Sequence, residues 1–387
     1  MNKQKQALVL AMAAMLGTAV PLSSFGATLA DYDEATQARL QDNTLEYEEL
    51  PALIAVYNPN MKKANDALQD GIEELNMTIG ELDTNAGELN RAAEDMKEAG
   101  NAQGYMMYKM IADGVKGSVK EMKKTVTNLT SWNGKKQIRA AEYMLTSGAQ
   151  QLMIVYQTTM SQREVAAKGR ELAEAAYQSA LTQKSLNMVT DADVLAAKQS
   201  LEQAESGLAQ VDAGLLNIRQ NLCMMTGWSY DAIPDIREVP AVSQERLDAM
   251  NLESDIQKAI GNNLTLIDQR NATEEAARRM TVKEKEKRAR NINESEQKLR
   301  IEMGQLYDAV QEKKAEADGA AAAYAGAITT KHGADLKYQT GSIGRLQYLQ
   351  AELEFLTAKA SKESADMALL QAVNNYEWGV KGLASIQ

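Results

Sequence analysis

The sequence predicts an all-α protein built from long antiparallel helical hairpins in a duplicated coiled-coil bundle. Three observations lead there. First, only 5% of the 387 residues are aromatic and there are 5 prolines, while Ala, Glu, Gln, Lys and Leu dominate. That mixture favours long helices over a compact mixed core. Second, apolar residues recur every seven positions over several heptads, the pattern of helices packed along a common seam. Third, the chain repeats itself at a shift of 154 residues, and internal repetition constrains any fold assigned to it.

The N-terminus begins Met1, Asn2, Lys3, Gln4, Lys5, continues with an apolar run from Ala7 to Val20, and then reaches Pro21 and small residues. A basic start, a short apolar stretch and a small-residue site read as a signal peptide over 1–27, cleaved near Gly26 or Ala27. The run is short for a transmembrane helix, which needs about 20 apolar residues. The protein is therefore expected to be exported to the cell envelope or extracytoplasmic space.

Beyond that segment, Met61, Leu68, Leu75, Leu82, Leu89 and Met96 repeat by seven, as do Tyr108, Val115, Met122 and Leu129. Gly100 and Gly104 separate the two stripes and allow a reversal, which predicts helices near 60–98 and 105–131. Trp132, Asn133 and Gly134 mark a break. Helices near 135–185 and 191–226 follow. The second of these carries Val194, Leu201, Leu208, Leu215 and Leu222 at heptad spacing, with Ala197, Ala204, Val211 and Ile218 between them. Pro234 and Pro240 mark an irregular linker, and further helices are expected near 294–339 and 345–383. At ~1.5 Å per residue such helices reach about 50–80 Å.

The repeat places Asp193, Val194 and Leu195 on Gln347, Tyr348 and Leu349, Leu201 on Phe355, and Ala204 on Ala358. At a shift of 205, Asn58 to Met61 falls on Asn263 to Leu266. The expected organisation is a first hairpin repeat at 28–230 with an extra helical segment at 61–147. A linker at 231–244 and a second repeat at 245–387 complete it. The second turn contains Gly341, which can take a positive φ; the first has Asn187, the next most tolerant residue.

Catalytic chemistry is not indicated. His332 is the sole histidine and has no motif around it, so a solvated helix position is expected. No phosphate-binding glycine loop, metal-ligand pair or nucleophile elbow is found. No enzyme activity, cofactor or metal is expected. The lone Cys223 excludes an intrachain disulfide and reads as a buried thiol. A net charge of −11 argues against nonspecific nucleic-acid binding.

The signal peptide, the repeated hairpin and the turn pattern together resemble the TolC-like outer membrane efflux protein family. The pattern is carried by Tyr338, Gly341, Leu349, Ala351, Phe355 and Ala358 in the second copy. In the first it is carried by Asn187, Asp193, Val194, Leu195, Ala197, Leu201 and Ala204, with Asn58, Pro59, Gly227 and Trp228 also fitting. The resemblance implies a trimeric homo-oligomer, a helical exit duct topped by an outer-membrane β-barrel, and work with an inner-membrane exporter and a periplasmic-adaptor-like protein. The chain departs from that plan at the barrel. Where the second copy would insert a β-hairpin it has Ala276 to Asn293, rich in charge and lacking the alternating apolar strands and aromatic girdle that a barrel needs. The implied fold is a TolC-like α-barrel protomer without the β-barrel. The implied function is an envelope efflux or secretion duct component. The competing reading is a structural coiled-coil protein of the envelope that does not transport.

Three sets of residues follow as candidates. The resemblance makes the turns adaptor-contact tips: Leu186, Asn187, Met188, Val189 and Thr190, with Thr340, Gly341, Ser342, Ile343 and Gly344. It makes Asp191 and Asp193 entrance acids, against the alternative that they cap the following helix. A basic end gathers Lys135, Lys136 and Arg139 in the first copy. In the second it gathers Arg278, Arg279, Lys283, Lys285, Lys287, Arg288 and Arg290. Solvated helix faces compete there with docking to an anionic envelope surface.

Overall fold

The computed structural model describes residues 29–131, 136–277 and 279–386. The signal peptide at 1–27, the break at Trp132, Asn133 and Gly134, and the candidate basic residues Lys135 and Arg278 lie outside them. The described chain is all-α. Its helices are α1 (Glu34–Leu40), α2 (Leu50–Tyr57), α3 (Pro59–Glu98), α4 (Ala102–Thr130), α5 (Lys136–Ser185), α6 (Asp191–Met225) and α7 (Gln244–Asp248). They continue with α8 (Leu252–Asn262), α9 (Leu264–Ala276), α10 (Val282–Gln339) and α11 (Arg345–Trp378). A π-helical turn, Gly379–Leu383, follows α11. The one departure from helix was not expected from sequence: β1 (Thr44–Leu45) pairs in parallel with β2 (Asp235–Ile236). The pairing places a short strand inside the linker read at 231–244.

Two compact units divide the chain. One comprises residues up to Leu40 and Pro51–Tyr143; the other comprises Gln41–Leu50 and Met144–Gln387. The first unit is organised by the hairpin α3–α4. Asn58 caps α3, its side chain accepting from the Asn60 and Met61 amides at 2.9 and 3.1 Å. Pro59 stands at the first helical position, where a missing N–H costs nothing. At the far end Gly100 takes φ +74°, and Asn101 caps α4 through the Gly104 amide at 2.9 Å.

A second buried stripe of α3 is Ile72, Ile79, Ala86 and Ala93, again at intervals of seven. Of the stripe read from sequence, Met61 and Leu68 are buried, and Leu75, Leu82, Leu89 and Met96 are half-buried. On α4 the buried residues are Ala112 and Val119. Large residues are buried in the first half of α3, Met61, Leu68, Ile72 and Ile79, and alanines toward the reversal, Ala86 and Ala93, where small side chains let helix backbones approach closely.

The second unit holds the hairpin α10–α11 and, from Met144 onward, the hairpin α5–α6. Along α6, the nine seam residues from Val194 to Leu222 are all half-buried or buried, as their heptad spacing requires. Cys223 is buried, and burial pushes its thiol pKa up. His332 is exposed. The long helices run as 58 residues for α10 and 34 for α11. Helix α10 starts twelve residues before the expected 294, because the charged stretch is itself helical. Its first turn is closed by a capping box between Thr281 and Glu284, a recognised N-terminal device.

The base of the second hairpin has an apolar core. Ile256, Ala259 and Ile260 of α8, with Leu266 of α9, pack with Leu299, Met303 and Val310 of α10 and Leu369, Val373 and Tyr376 of α11. Tyr376 donates to Asp255 at 2.9 Å. Burial, then the bond to Asp255, raises the phenol pKa. Tyr47 is buried and accepts from Asn374; burial pushes its pKa up to about 12.

Asn263 is the counterpart of Asn58. It is buried, caps α9 through the Leu266 amide at 3.1 Å, and donates to the Ala384 carbonyl at 3.0 Å. That contact ties the C-terminal segment to the α8–α9 corner. Gly382, at φ +107°, is required there. A Cβ would lie 2.4 Å from the Asn262 carbonyl oxygen.

Candidate functional site

The candidate tips are two helix reversals in the second unit, and they share one backbone geometry. At the first, Asn187 takes φ +55°. Its amide donates to the Lys184 carbonyl at 2.9 Å, and the Met188 amide reaches the Gln183 carbonyl at 2.9 Å. At the second, Gly341 takes φ +71°, with Gly341 to Tyr338 at 3.0 Å and Ser342 to Lys337 at 2.8 Å. Both are left-handed caps that satisfy the last carbonyls of a helix. The positive φ expected at Asn187 and Gly341 is what the backbone shows.

The starts of the descending helices also correspond. Thr190 caps α6: its hydroxyl accepts from the Asp193 amide at 3.2 Å, and Asp193 accepts from the Thr190 amide and hydroxyl at 2.7 Å each. These bonds, the hydroxyl first, hold the Asp193 pKa below its ordinary value. In α11, Gly344 has no side chain to cap with, yet Gln347 accepts from its amide at 3.3 Å. Gln347 stands where the repeat places Asp193, so the amide keeps half of the same box. Asp191 pairs with Lys184 at 3.0 Å. Both first-copy acids therefore have local roles at the helix start.

The two hairpins are antiparallel neighbours through α5 and α11. Gln150 accepts from Trp378 at 2.9 Å, Lys359 pairs with Glu164 at 2.9 Å, Lys168 with Glu352 at 3.2 Å, and Arg345 with Glu171 at 3.8 Å. Residue numbers rise on one helix as they fall on the other. Both reversals thus lie at the same end of the unit.

Close to that end is a polar chain that sequence reading missed. Lys331 of α10 lies 4.6 Å from the Tyr348 ring centre, donates to its hydroxyl at 3.1 Å and pairs with Asp335. Burial opposes the Lys331 cation, but Asp335 and Tyr348 outweigh it and raise the pKa. Glu352 lies 3.6 Å from Lys331 and also meets Lys168. Tyr338 stacks on Tyr348 with ring centres 4.3 Å apart. The Lys331–Asp335 spacing of four was visible in sequence. The contact between Lys168 and Glu352 joins residues 184 apart and had no local signal.

The apolar tip residues divide into two kinds. Leu186 and Met188 are 64% and 70% exposed. Val189 and Ile343 are half-buried. Thr340 ends α10 as its C-cap, and its hydroxyl bonds the Leu336 carbonyl at 3.0 Å.

Among the described basic residues, Lys136 and Arg139 belong to the first unit, and Arg279, Lys283, Lys285, Lys287, Arg288 and Arg290 to the second. Burial lowers the Arg139 pKa. No described helix is long and apolar enough to cross a membrane.

No protein-family model and no curated protein matches the chain. Among solved structures it is similar to the outer membrane protein VceC of Vibrio cholerae, at 13% identity over 69% of this chain and 76% of that one, with a TM-score of 0.48. It is similar to CusC at 17% identity, over 80% and 96% of the two chains, with a TM-score of 0.48. It is also similar to the Campylobacter jejuni CmeC outer membrane channel, at 13% identity over 72% and 69%, with a TM-score of 0.42.

Proposed function

We propose that this protein is a protomer of an envelope efflux or secretion duct that acts with an exporter and a periplasmic-adaptor-like partner. The observation that carries the reading is the duplication. Two long hairpins lie antiparallel in one unit with both reversals at the same end, and that end presents Leu186 and Met188 to solvent. Copies of such a unit arranged around an axis, three by the family resemblance, would form a helical wall. Their tips would meet an adaptor end to end. The exposed leucine and methionine supply apolar contact area for that meeting, since a large apolar side chain at a loop tip gains nothing from water.

The test is the pair Leu186→Asp and Met188→Asp. Neither side chain is packed, so helicity and the thermal midpoint should stay at wild-type values while binding to a genomically linked adaptor, and export, are lost. A folded double variant that binds the adaptor with wild-type affinity would refute the tip contact. Particle images of the purified oligomer that show no ring would refute the duct itself.

A further inference from the structure

The first three turns of α10 pack against almost nothing. Every residue from Thr281 to Asn291 is exposed, Ile292 is the first to be half-buried, and Leu299 is the first to be fully buried. Ten residues of helix correspond to about 15 Å. The capping box of Thr281 and Glu284 and one bond from Arg288 to the Ala272 carbonyl at 3.2 Å hold this end in place.

The same segment concentrates positive charge. From 279 to 291 there are six cations, Arg279, Lys283, Lys285, Lys287, Arg288 and Arg290, against two carboxylates, Glu284 and Glu286, in a chain of net charge −11. Glu284 is already bonded to the Thr281 amide at 2.8 Å. Lys283, Lys287 and Arg290 share one face at spacings of four and three. Five of the six cations, from Lys283 to Arg290, lie within a helix end that buries no apolar face and repel one another, and of these Arg288 meets the Ala272 carbonyl and Glu284. At the very tip Val282 is 73% exposed.

We propose that this end of α10 docks on the headgroups of an anionic lipid bilayer, cations against lipid phosphates and Val282 at the headgroup–acyl boundary. Charge complementarity selects an anionic partner. The exposed valine among the cations selects a bilayer over a soluble polyanion, because only a bilayer offers an apolar layer beneath its charge. The contact would give the chain a peripheral attachment to a membrane, and it does not depend on the duct reading.

The experiment is co-sedimentation of the full chain with vesicles of phosphatidylcholine, with or without phosphatidylglycerol, at about 0.05 M and about 0.5 M salt. Binding should require phosphatidylglycerol and weaken at high salt. Lys283→Gln, Lys285→Gln, Lys287→Gln and Arg290→Gln combined should weaken it about tenfold or more, at unchanged helicity. The same four positions changed to arginine or, at 290, lysine should retain it. Val282→Ser should weaken it further by a few-fold. Absent or salt-independent binding, or wild-type binding by the quadruple Gln variant, would overturn the proposal. So would a soluble phosphodiester polymer that binds more tightly than vesicles with no effect of Val282→Ser, which would identify a wall polymer as the partner. Tip variants that lose adaptor binding but keep vesicle binding would separate this contact from the duct reading.

Discussion

At the α5–α6 reversal the left-handed residue is Asn187, and at the α10–α11 reversal it is Gly341. The hydrogen bonds that close the two turns agree to within a tenth of an ångström, yet the side chains around them differ in kind. The first descending helix starts with Thr190, Asp191 and Asp193, capped and acidic; the second starts with Gly344, Arg345 and Gln347, uncapped by any side chain and basic. The α3–α4 reversal repeats the backbone with Gly100 at φ +74°. What is fixed in all three is the positive φ after the last helical turn. How the next helix is started, and with which charge, is free to vary.

The strongest way to break the comparison is Gly341→Val. A Cβ at Gly341 would meet no neighbour, so the cost is conformational, about 1–3 kcal/mol for a β-branched residue held at positive φ. Amide exchange at Ser342 and Gly344 should accelerate accordingly. Gly341→Asn should cost only a few tenths of that, since Asn187 already adopts the conformation, and Asn187→Gly should be close to neutral. Equal damage from Val and Asn at 341 would show that the Cβ itself is excluded there.

A smaller effect is expected at the caps. Thr190→Ala should destabilise the start of α6 by about 1 kcal/mol. Gly344→Ser should stabilise the start of α11 by roughly half that, because it supplies the hydroxyl the second copy lacks. Exchange rates in the first turns of the two helices would read both. No change in either would mean that the capping bonds are replaced by water without loss.

The smallest effect is one of pH. The folded Asp193 pKa lies below its ordinary value of 3.8. Its contribution is therefore complete above the unfolded value and is lost as pH falls through the lower folded one. Acidification below about pH 4 should loosen the Thr190 amide, while the Gly344 amide, held by the neutral Gln347, should not respond. Parallel loosening of both amides would show that the helix start, and not Asp193, is titrating.

Much of this was legible in the sequence because it depends on local rules. A heptad needs no partner to declare its face, so the stripe from Val194 to Leu222 is the half-buried or buried face of α6. Positive φ has few acceptable residues, which made the reversals at Asn187 and Gly341 readable. Asn58 and Asn263 could be aligned because an N-cap has a narrow chemistry. The misses have equally physical causes. The stripe read through Met61 and Leu68 is buried, but toward the reversal the buried positions are Ile79, Ala86 and Ala93, because close helix approach there favours alanine. The start of α10 was placed late because Ala276 to Asn293 was read as the place of the family's β-hairpin, although Lys, Glu, Arg and Ala are good helix formers. Val189 and Ile343, read as adaptor-contact tips, are half-buried, and the exposed apolar residues at that end are Leu186 and Met188.

The sequence by itself determined the helices, their apolar faces, the positions of their reversals and the duplication, since each of these rests on backbone preference or on spacing within a few turns. Only the tertiary structure decided which helices are neighbours. It put α5 beside α11, joined Lys168 to Glu352, paired Thr44 with Asp235, tied Asn263 to the C-terminal segment, and left the first turns of α10 without a packing partner. Contacts between residues a hundred or more positions apart depend on which apolar faces and charges fit together in space, and heptad seams of leucine and alanine are alike enough that spacing does not choose among them.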